Sequence, residues 1–463
     1  MLNRVQRLLA GGRQVDMASD SVSGVIICLA VPMMFSMFFQ NLYSFINTIF
    51  VSWLGGVPLA AISVAVPLTY VALSLGKGVG MGSAVIIGHA RGAGDQAGAE
   101  SVSRAVLPLM TMVMCLLLPL LSVEVCNGFF ALLGASEDIL EQVYWFTVWM
   151  VLGFPVLGYS MAVEAVLMSN GDTVTPMKGM ILGNIINICL DPLFIFGLNW
   201  GVAGAGGATF IAQFAAALYL GRKYRKLTGA ALSFIPDKTM FSAWSQIIRQ
   251  GIFIAVGYLI SPVGLILLNL ILSQFGSPAI GAWNMMARME MMVLLPVMGM
   301  SNALAVFTGF NLGRQDYERI KAGLKTFLLL AGSIIIPSAS VFFFFSRELL
   351  YIFKPTPEML NLASVAVQAS GVSMVLIPAL YALNGMAQGF RRPAYMLIMI
   401  IIFIVVLRLP LAYWFAGLWG GQGVFWSHAA SAFIAGLVAS GLLIRLLVSG
   451  RKKCETKKEV VCL

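Results

Sequence analysis

Long apolar runs are the feature that most limits what this chain can fold into. Runs of 20–30 mostly apolar residues recur along nearly its full length, and each can cross a hydrocarbon core of about 30 Å. Only 10% of the residues are charged, against about 25% in soluble domains. The first run is too long for a cleavable signal, so we expect it to remain as a spanning helix. The pattern predicts an all-α polytopic membrane protein with twelve transmembrane helices, near 22–52, 57–88, 102–125, 140–168, 176–199, 202–221, 247–275, 279–311, 319–346, 360–388, 393–416 and 422–448.

The positive charges of the chain report on topology. The net charge is +10, and 24 of the 29 lysines and arginines lie in loops, tails or helix ends on the same side of the predicted helices. Only Arg347 and Lys354 fall in loops on the opposite side. The positive-inside rule then predicts a multi-pass protein of the plasma (inner) membrane with both termini in the cytoplasm. We therefore expect membrane lipids, and no nucleic acid, as partners.

Cysteine and histidine have no spacing typical of a metal site. Four of the six cysteines fall in or beside predicted helices, and the two histidines, His89 and His428, are isolated in the sequence. No pattern typical of a catalytic nucleophile is present. We expect neither an enzyme nor a bound metal or cofactor.

The chain contains an internal repeat. At a constant offset of 221 residues, four glycines and one aspartate of the first half recur in the second: Gly55, Gly78, Gly88, Gly92 and Asp95 align with Gly276, Gly299, Gly309, Gly313 and Asp316. Such repeats are typical of transporters, and two six-helix halves have the same orientation because six is even. The predicted segments are an N-terminal cytoplasmic segment (1–21), a first bundle (22–226), a cytoplasmic linker (227–246), a second bundle (247–448) and a basic tail (449–463).

One stretch of the first half, Gly183–Gly207 (GNIINICLDPLFIFGLNWGVAGAGG), places a carboxylate in an apolar run. A charge at membrane depth costs about 2.5–3.5 kcal/mol, so Asp191 is expected to face a cavity or a partner. Pro192 cannot donate to the carbonyl of Ile188, which leaves a free acceptor one turn away. Asn187 lies on the same helical face as Asp191. An acid, an amide and a free carbonyl are thus predicted on one patch.

Four segments together resemble the multidrug and toxic compound extrusion (MATE) family. They are FINTIFVSWLGGVPLAAIS (45–63), GHARGAGD (88–95), MSNGDTVTPM (168–177) and the stretch around Asp191. The resemblance covers essentially the whole chain. It implies two pseudo-symmetric six-helix bundles around a central cavity, and export of amphipathic, often cationic compounds in exchange for protons or sodium.

The resemblance also implies an ion site in the first bundle, as in a prokaryotic, DinF-like branch of the family. Asn187, Asp191 and Thr209 stand at three positions of that site. The fourth departs from the pattern, because Asn47 stands where the family usually has aspartate. The site would then hold one carboxylate and carry one proton or one sodium ion per cycle. The acids that another branch uses in helices 7 and 10 are absent here.

Other polar residues within the spans are candidates for the substrate cavity. Glu290 is the only carboxylate well inside the second bundle, and Arg288 lies two residues away on a different face. Arg408 lies near the repeat position of Asp191 and would repel a cation, so we expect the cation site only in the first half. The substrate-cavity candidates are Glu290, Arg288, Lys77, Tyr43 and Gln40.

These features predict a monomeric secondary active multidrug exporter that exchanges small amphipathic, cationic compounds for protons or sodium by alternating access. A flippase for lipid-linked oligosaccharides or other lipids from the same superfamily is one alternative, although such proteins often have fourteen helices. A non-transporting membrane receptor or channel is an alternative of another class. A pore is expected to have rings of like residues from oligomeric symmetry, whereas two chemically unlike halves fit a carrier.

Overall fold

The computed structural model describes residues 16–228, 240–353 and 356–461. Residues 1–15 of the predicted N-terminal segment, residues 229–239 of the predicted linker and Lys354 lie outside the described residues. The described chain is built from helices joined by short turns. In the first half the helices are α1 (Val22–Ser52), α2 (Gly56–Gly92), α3 (Gln96–Cys115), α4 (Val123–Leu132), α5 (Glu137–Ser169), α6 (Val174–Pro192) and α7 (Gly201–Thr228).

The second half has the same kind of helices, and two of its spans are each divided into two helices. The helices of this half are α8 (Phe241–Ser273), α9 (Ser277–Gly313), α10 (Tyr317–Phe344), α11 (Ser346–Leu350), α12 (Pro357–Met374), α13 (Ile377–Gly389), α14 (Ala394–Ile401), α15 (Leu409–Trp419) and α16 (Gly421–Val461). Two π-helical segments, Leu193–Gly197 and Ile402–Arg408, follow α6 and α14.

The length and composition of the helices agree with a polytopic membrane protein. Among the described residues, ten helices or joined helical segments are long and apolar enough to cross a membrane, and α12 with α13, bent by 51°, forms an eleventh. The remaining predicted span, near 102–125, corresponds to α3 together with the 3-10 turn Leu118–Leu121. Pro119 lies in that turn and removes a backbone donor, which explains why α3 ends there.

The repeat seen in the sequence is present in the backbone. Helices α2 and α9 are each 37 residues long, and each follows a glycine with positive φ, Gly55 (110°) and Gly276 (84°). A side chain is strained at such angles, which explains the glycines. One helix later, Asp95 accepts a hydrogen bond from the Gly98 amide (2.8 Å), and Asp316 accepts one from the Arg319 amide (3.1 Å). Both halves therefore start these helices with the same caps.

Packing divides the described chain into two units. Residues 35–255 form the N-terminal unit, and residues 16–34 pack with residues from 256 onward in the C-terminal unit. The first half of α1 belongs to the C-terminal unit because Arg319 donates hydrogen bonds to the carbonyls of Met17 (3.0 Å) and Asp20 (2.8 Å). In the same unit Gly299 packs on the backbone of Met34, where a Cβ would come within 2.7 Å.

Candidate functional site

Asp191 lies where the regular helix of α6 gives way to a π-helical segment. Pro192 has no N–H, and beyond it the Leu198 amide donates to the Leu193 carbonyl at 2.8 Å, five residues back. Such π-segments are frequent at functional sites. The Asp191 side chain is fully buried (0% exposed), as is that of Asn187 (1%) one turn earlier.

Small residues bring α7 against α6 and the π-segment. A Cβ on Gly204 would lie 2.6 Å from the Phe194 carbonyl oxygen, and a Cβ on Gly183 would lie 3.4 Å from the Ala212 carbonyl oxygen. At Gly204 the backbones can approach this closely only because the residue has no side chain, whereas at Gly183 a Cβ would make a tight but ordinary contact. Thr209 of α7 is thereby placed against Asn187 of α6.

A chain of hydrogen bonds joins α1, α7 and α6 within the N-terminal unit. Thr209 donates its hydroxyl hydrogen to the Ala205 carbonyl (2.9 Å), so its oxygen accepts from the Tyr43 hydroxyl (2.8 Å) and from the Asn187 amide (3.4 Å). The same amide donates to Oδ1 of Asp191 at 3.2 Å. Asn47 enters the chain by donating to the Tyr43 hydroxyl at 3.5 Å.

Three buried oxygen atoms of this site have no hydrogen-bond partner among the described residues. They are Oδ2 of Asp191, Oδ1 of Asn187 and Oδ1 of Asn47. Carbonyl and carboxylate oxygens only accept, so each remains unsatisfied until a donor or a cation reaches it. Leaving a buried acceptor unsatisfied costs about 1–3 kcal/mol. The arrangement is therefore suited to binding a proton or a hard cation.

The structure brings together all four residues of the expected ion site and adds Tyr43. Tyr43 was expected only in the substrate cavity, yet its hydroxyl is the link between Asn47 and Thr209. Gln40 is half-buried one turn earlier on α1. Asn184 is not among the residues that the sequence predicts for the site. Its amide donates to the Phe39 carbonyl at 2.8 Å and so fixes α1 against α6.

The remaining candidates lie elsewhere. Lys77 of α2 lies close enough to Glu164 of α5 for the two charges to interact. Arg288 is exposed in the first half of α9 and forms no hydrogen bond or ion pair with the described residues. Glu290 is buried and contacts His428 of α16 at 3.0 Å. His428 is isolated in the sequence but not in space, and the only sequence signal for it is a histidine within an apolar run.

Comparisons with known proteins agree with this architecture. A family model described as MatE matches residues 32–193 and 254–414. The FAD transporter of Shewanella oneidensis is 30% identical over 410 residues, which cover 85% of this chain and 88% of that protein. The multidrug export protein MepA of Staphylococcus haemolyticus is 24% identical over 438 residues, covering 93% and 96%.

The fold has a counterpart among solved structures. An outward-facing conformation of a multidrug resistance MATE family transporter of the MOP superfamily matches with a TM-score of 0.88 and 24% identity, over 95% of this chain and 99% of that one. The MatE family model matches more than half of the chain, in both halves. The chain therefore belongs to the MATE family of transporters, whose fold has twelve transmembrane helices in two bundles.

Proposed function

We propose that the protein is a secondary active exporter that exchanges a cation, proton or sodium, for small amphipathic compounds. One observation carries the proposal: Asp191 is fully buried, and one of its carboxylate oxygens has no partner. Ionisable groups inside membrane spans are rare and costly, and they usually mark an ion or substrate pathway. Relatives named as multidrug export proteins support drugs as the cargo.

The coupling follows from competition between cation and substrate for two conformations. A cation at Oδ2 of Asp191 stabilises the arrangement in which Asn187, Thr209, Tyr43 and Asn47 are connected. A substrate stabilises another arrangement. Each ligand then lowers the affinity for the other by the same factor, which is what exchange requires. Because the available ligands are all oxygens, both a proton and sodium suit the site.

Transport into vesicles tests this proposal. The purified protein is reconstituted, and movement of a cationic dye is followed under a proton gradient alone and under a sodium gradient alone. Uphill dye movement with one gradient, and none without a gradient, is the expected result. Dye that never moves against its own gradient under either ion would refute cation exchange.

Both termini are proposed to lie in the cytoplasm. The proposal rests on the uneven distribution of basic residues between the two sides. In a variant without native cysteines, single cysteines replace Arg225 and Lys452 on one side and Glu137 on the other. A membrane-impermeant thiol reagent added to intact cells is expected to label position 137 alone. Labelling of position 225 but not 137 would reverse the orientation.

A flavin nucleotide is a second candidate substrate. The FAD transporter shares 30% identity with the chain. FAD carries two phosphate groups, and Arg288 is an exposed cation at membrane depth without an ion-pair partner among the described residues. Arg288→Gln is expected to lower FAD transport at least about tenfold, the effect of losing one charged hydrogen bond of about 1.5–3 kcal/mol, and to leave dye transport unchanged. Equal FAD transport by the parent and Arg288→Gln would contradict this role.

A further inference from the structure

A second buried cluster of ionisable side chains lies in the C-terminal unit, remote in sequence from Asp191. Glu290 of α9 and His428 of α16 are 8% and 3% exposed. Arg408, the last residue of the π-segment Ile402–Arg408, contacts the same imidazole. Ser370 of α12 donates to Oε2 of Glu290 at 3.1 Å. None of these contacts belongs to the site around Asp191.

The hydrogen bonds determine which imidazole nitrogen carries the hydrogen. A guanidinium group only donates, so Nδ1 of His428 must accept from Nη2 of Arg408. The hydrogen is then on Nε2, which faces the two carboxylate oxygens of Glu290 at 3.0 and 3.2 Å and the Ser373 hydroxyl oxygen at 3.3 Å. The imidazole is therefore neutral and lies between a cation and an anion.

The charges of the cluster balance in this arrangement. Arg408 contributes one positive charge and Glu290 one negative charge. The guanidinium carbon lies over the rings of Trp283 (5.2 Å) and Phe403 (5.3 Å), which stabilises a cation through the ring faces. Tyr381 of α13 lies close enough to Glu290 to interact with its charge, and Tyr258 of α8 interacts with Tyr381.

We propose that this cluster is a second proton-binding site, in which Nδ1 of His428 takes up a proton when the Arg408 guanidinium leaves it. Nδ1 cannot carry a hydrogen and accept one from Arg408 at the same time. An imidazolium next to the guanidinium would also place two like charges together in a poorly screened interior. In the step, one N–H bond forms at Nδ1 and one hydrogen bond from Arg408 breaks. The net charge of the cluster rises from zero to +1.

The backbone at Arg408 offers a way for the side chain to move. The segment Ile402–Arg408 is π-helical, and Pro410 provides no N–H to hold the turn before it. Reversion of one π-turn to α-helix shifts the register by one residue, which rotates a side chain by about 100° around the helix. Sodium does not suit this site, because a guanidinium already neutralises the only carboxylate.

Histidine NMR tests the proposal, because the chain has only two histidines. Full-length His89→Gln, labelled with ¹⁵N-imidazole histidine, reports on His428 alone. At high pH we expect the neutral imidazole with hydrogen on Nε2, and at low pH the doubly protonated form. A second substitution in this protein, Arg408→Gln, keeps a hydrogen-bond donor near Nδ1 of His428 but removes the positive charge. The ratio of charged to neutral imidazole at one pH should then rise at least about tenfold.

Two further variants sharpen the result. Arg288→Gln removes an exposed cation of α9 that is outside the cluster, and is expected to leave the ratio unchanged. Glu290→Gln removes the anion and should lower the ratio of charged to neutral imidazole at least about tenfold. This variant tests the proposal if Arg408→Gln does not fold. A parent imidazole with hydrogen on Nδ1, or one that stays neutral from about pH 5 to about pH 9 in every folded variant, would overturn the proposal.

The use of this site in transport rests on the proposed function, but its protonation does not. The NMR measurement needs no substrate and no gradient. If dye exchange fails while His428 titrates as expected, the exporter proposal falls and the proton site stands. If exchange succeeds while His428 never titrates, the cluster is structural and Asp191 remains the proposed coupling site.

Discussion

Asp191→Asn is expected to reduce gradient-driven efflux to the level seen without a gradient, while the protein still folds and binds substrate. The amide has nearly the same size, and its oxygen can still accept from the Asn187 amide, as Oδ1 of Asp191 does at 3.2 Å. It cannot take up a proton or offer a negative charge to sodium. Substrate affinity should stay within about threefold of the parent, or about 0.7 kcal/mol.

The measurement combines reconstituted transport with substrate titration at several pH values. If protons couple transport, substrate affinity of the parent should rise with pH, because proton release from Asp191 accompanies substrate binding. The part of this rise that is due to Asp191 should be absent in Asp191→Asn. Asp172→Asn is the matched control. That carboxylate caps the start of α6, accepting from the Thr175 amide at 2.9 Å, and its replacement should leave transport near the parent rate. Uphill transport by Asp191→Asn near the parent rate would make Asp191 a structural residue only.

Asn47→Asp is expected to add a second titrating step to substrate binding. Asn47 now donates to the Tyr43 hydroxyl, whose single hydrogen is directed to Thr209. A carboxylate at position 47 has no hydrogen to donate. The series of hydrogen bonds from residue 47 through Tyr43 to Thr209 is therefore kept only if the new carboxyl group is protonated. Substrate binding would then displace two protons. Because affinity rises with pH, log Kd falls; the site around Asp191 contributes a slope no steeper than about −1 in the parent, and the variant should show a steeper slope over part of the range.

Substrate affinity measured from about pH 5 to about pH 9 checks this slope for the parent, Asn47→Asp, and Asn47→Asp combined with Asp191→Asn. The double variant should return to a single step. Asn41→Asp is the control, because it adds the same charge to α1 outside the hydrogen-bond network of the ion site. Among the described residues Asn41 donates to the Met37 carbonyl of its own helix (3.0 Å). This variant should show the same pH dependence as the parent. Identical pH profiles for the parent and Asn47→Asp would place Asn47 outside the ion site and leave Asn187, Asp191 and Thr209.

Local and periodic features of the chain were sufficient to predict its architecture. Apolar length and the basic asymmetry depend on the bilayer rather than on contacts between helices, so they predict spans without a structure. The repeat was readable because Gly55 and Gly276 meet a backbone requirement that other residues meet poorly. Asp191 was also predictable from the sequence. A carboxylate in an apolar run costs free energy inside the membrane whatever the helix packs against.

Only tertiary structure decided which side chains meet. Tyr43 and Thr209 are 166 residues apart, and Glu290 and His428 are 138 apart. These contacts depend on the rotation of each helix about its axis, and the contact of Thr209 also depends on the close approach that Gly204 permits. Hydrophobic periodicity does not specify that rotation in helices that are apolar on most faces. For this reason the acid of the first half was evident in the sequence, whereas the neutral imidazole held between Arg408 and Glu290 was not.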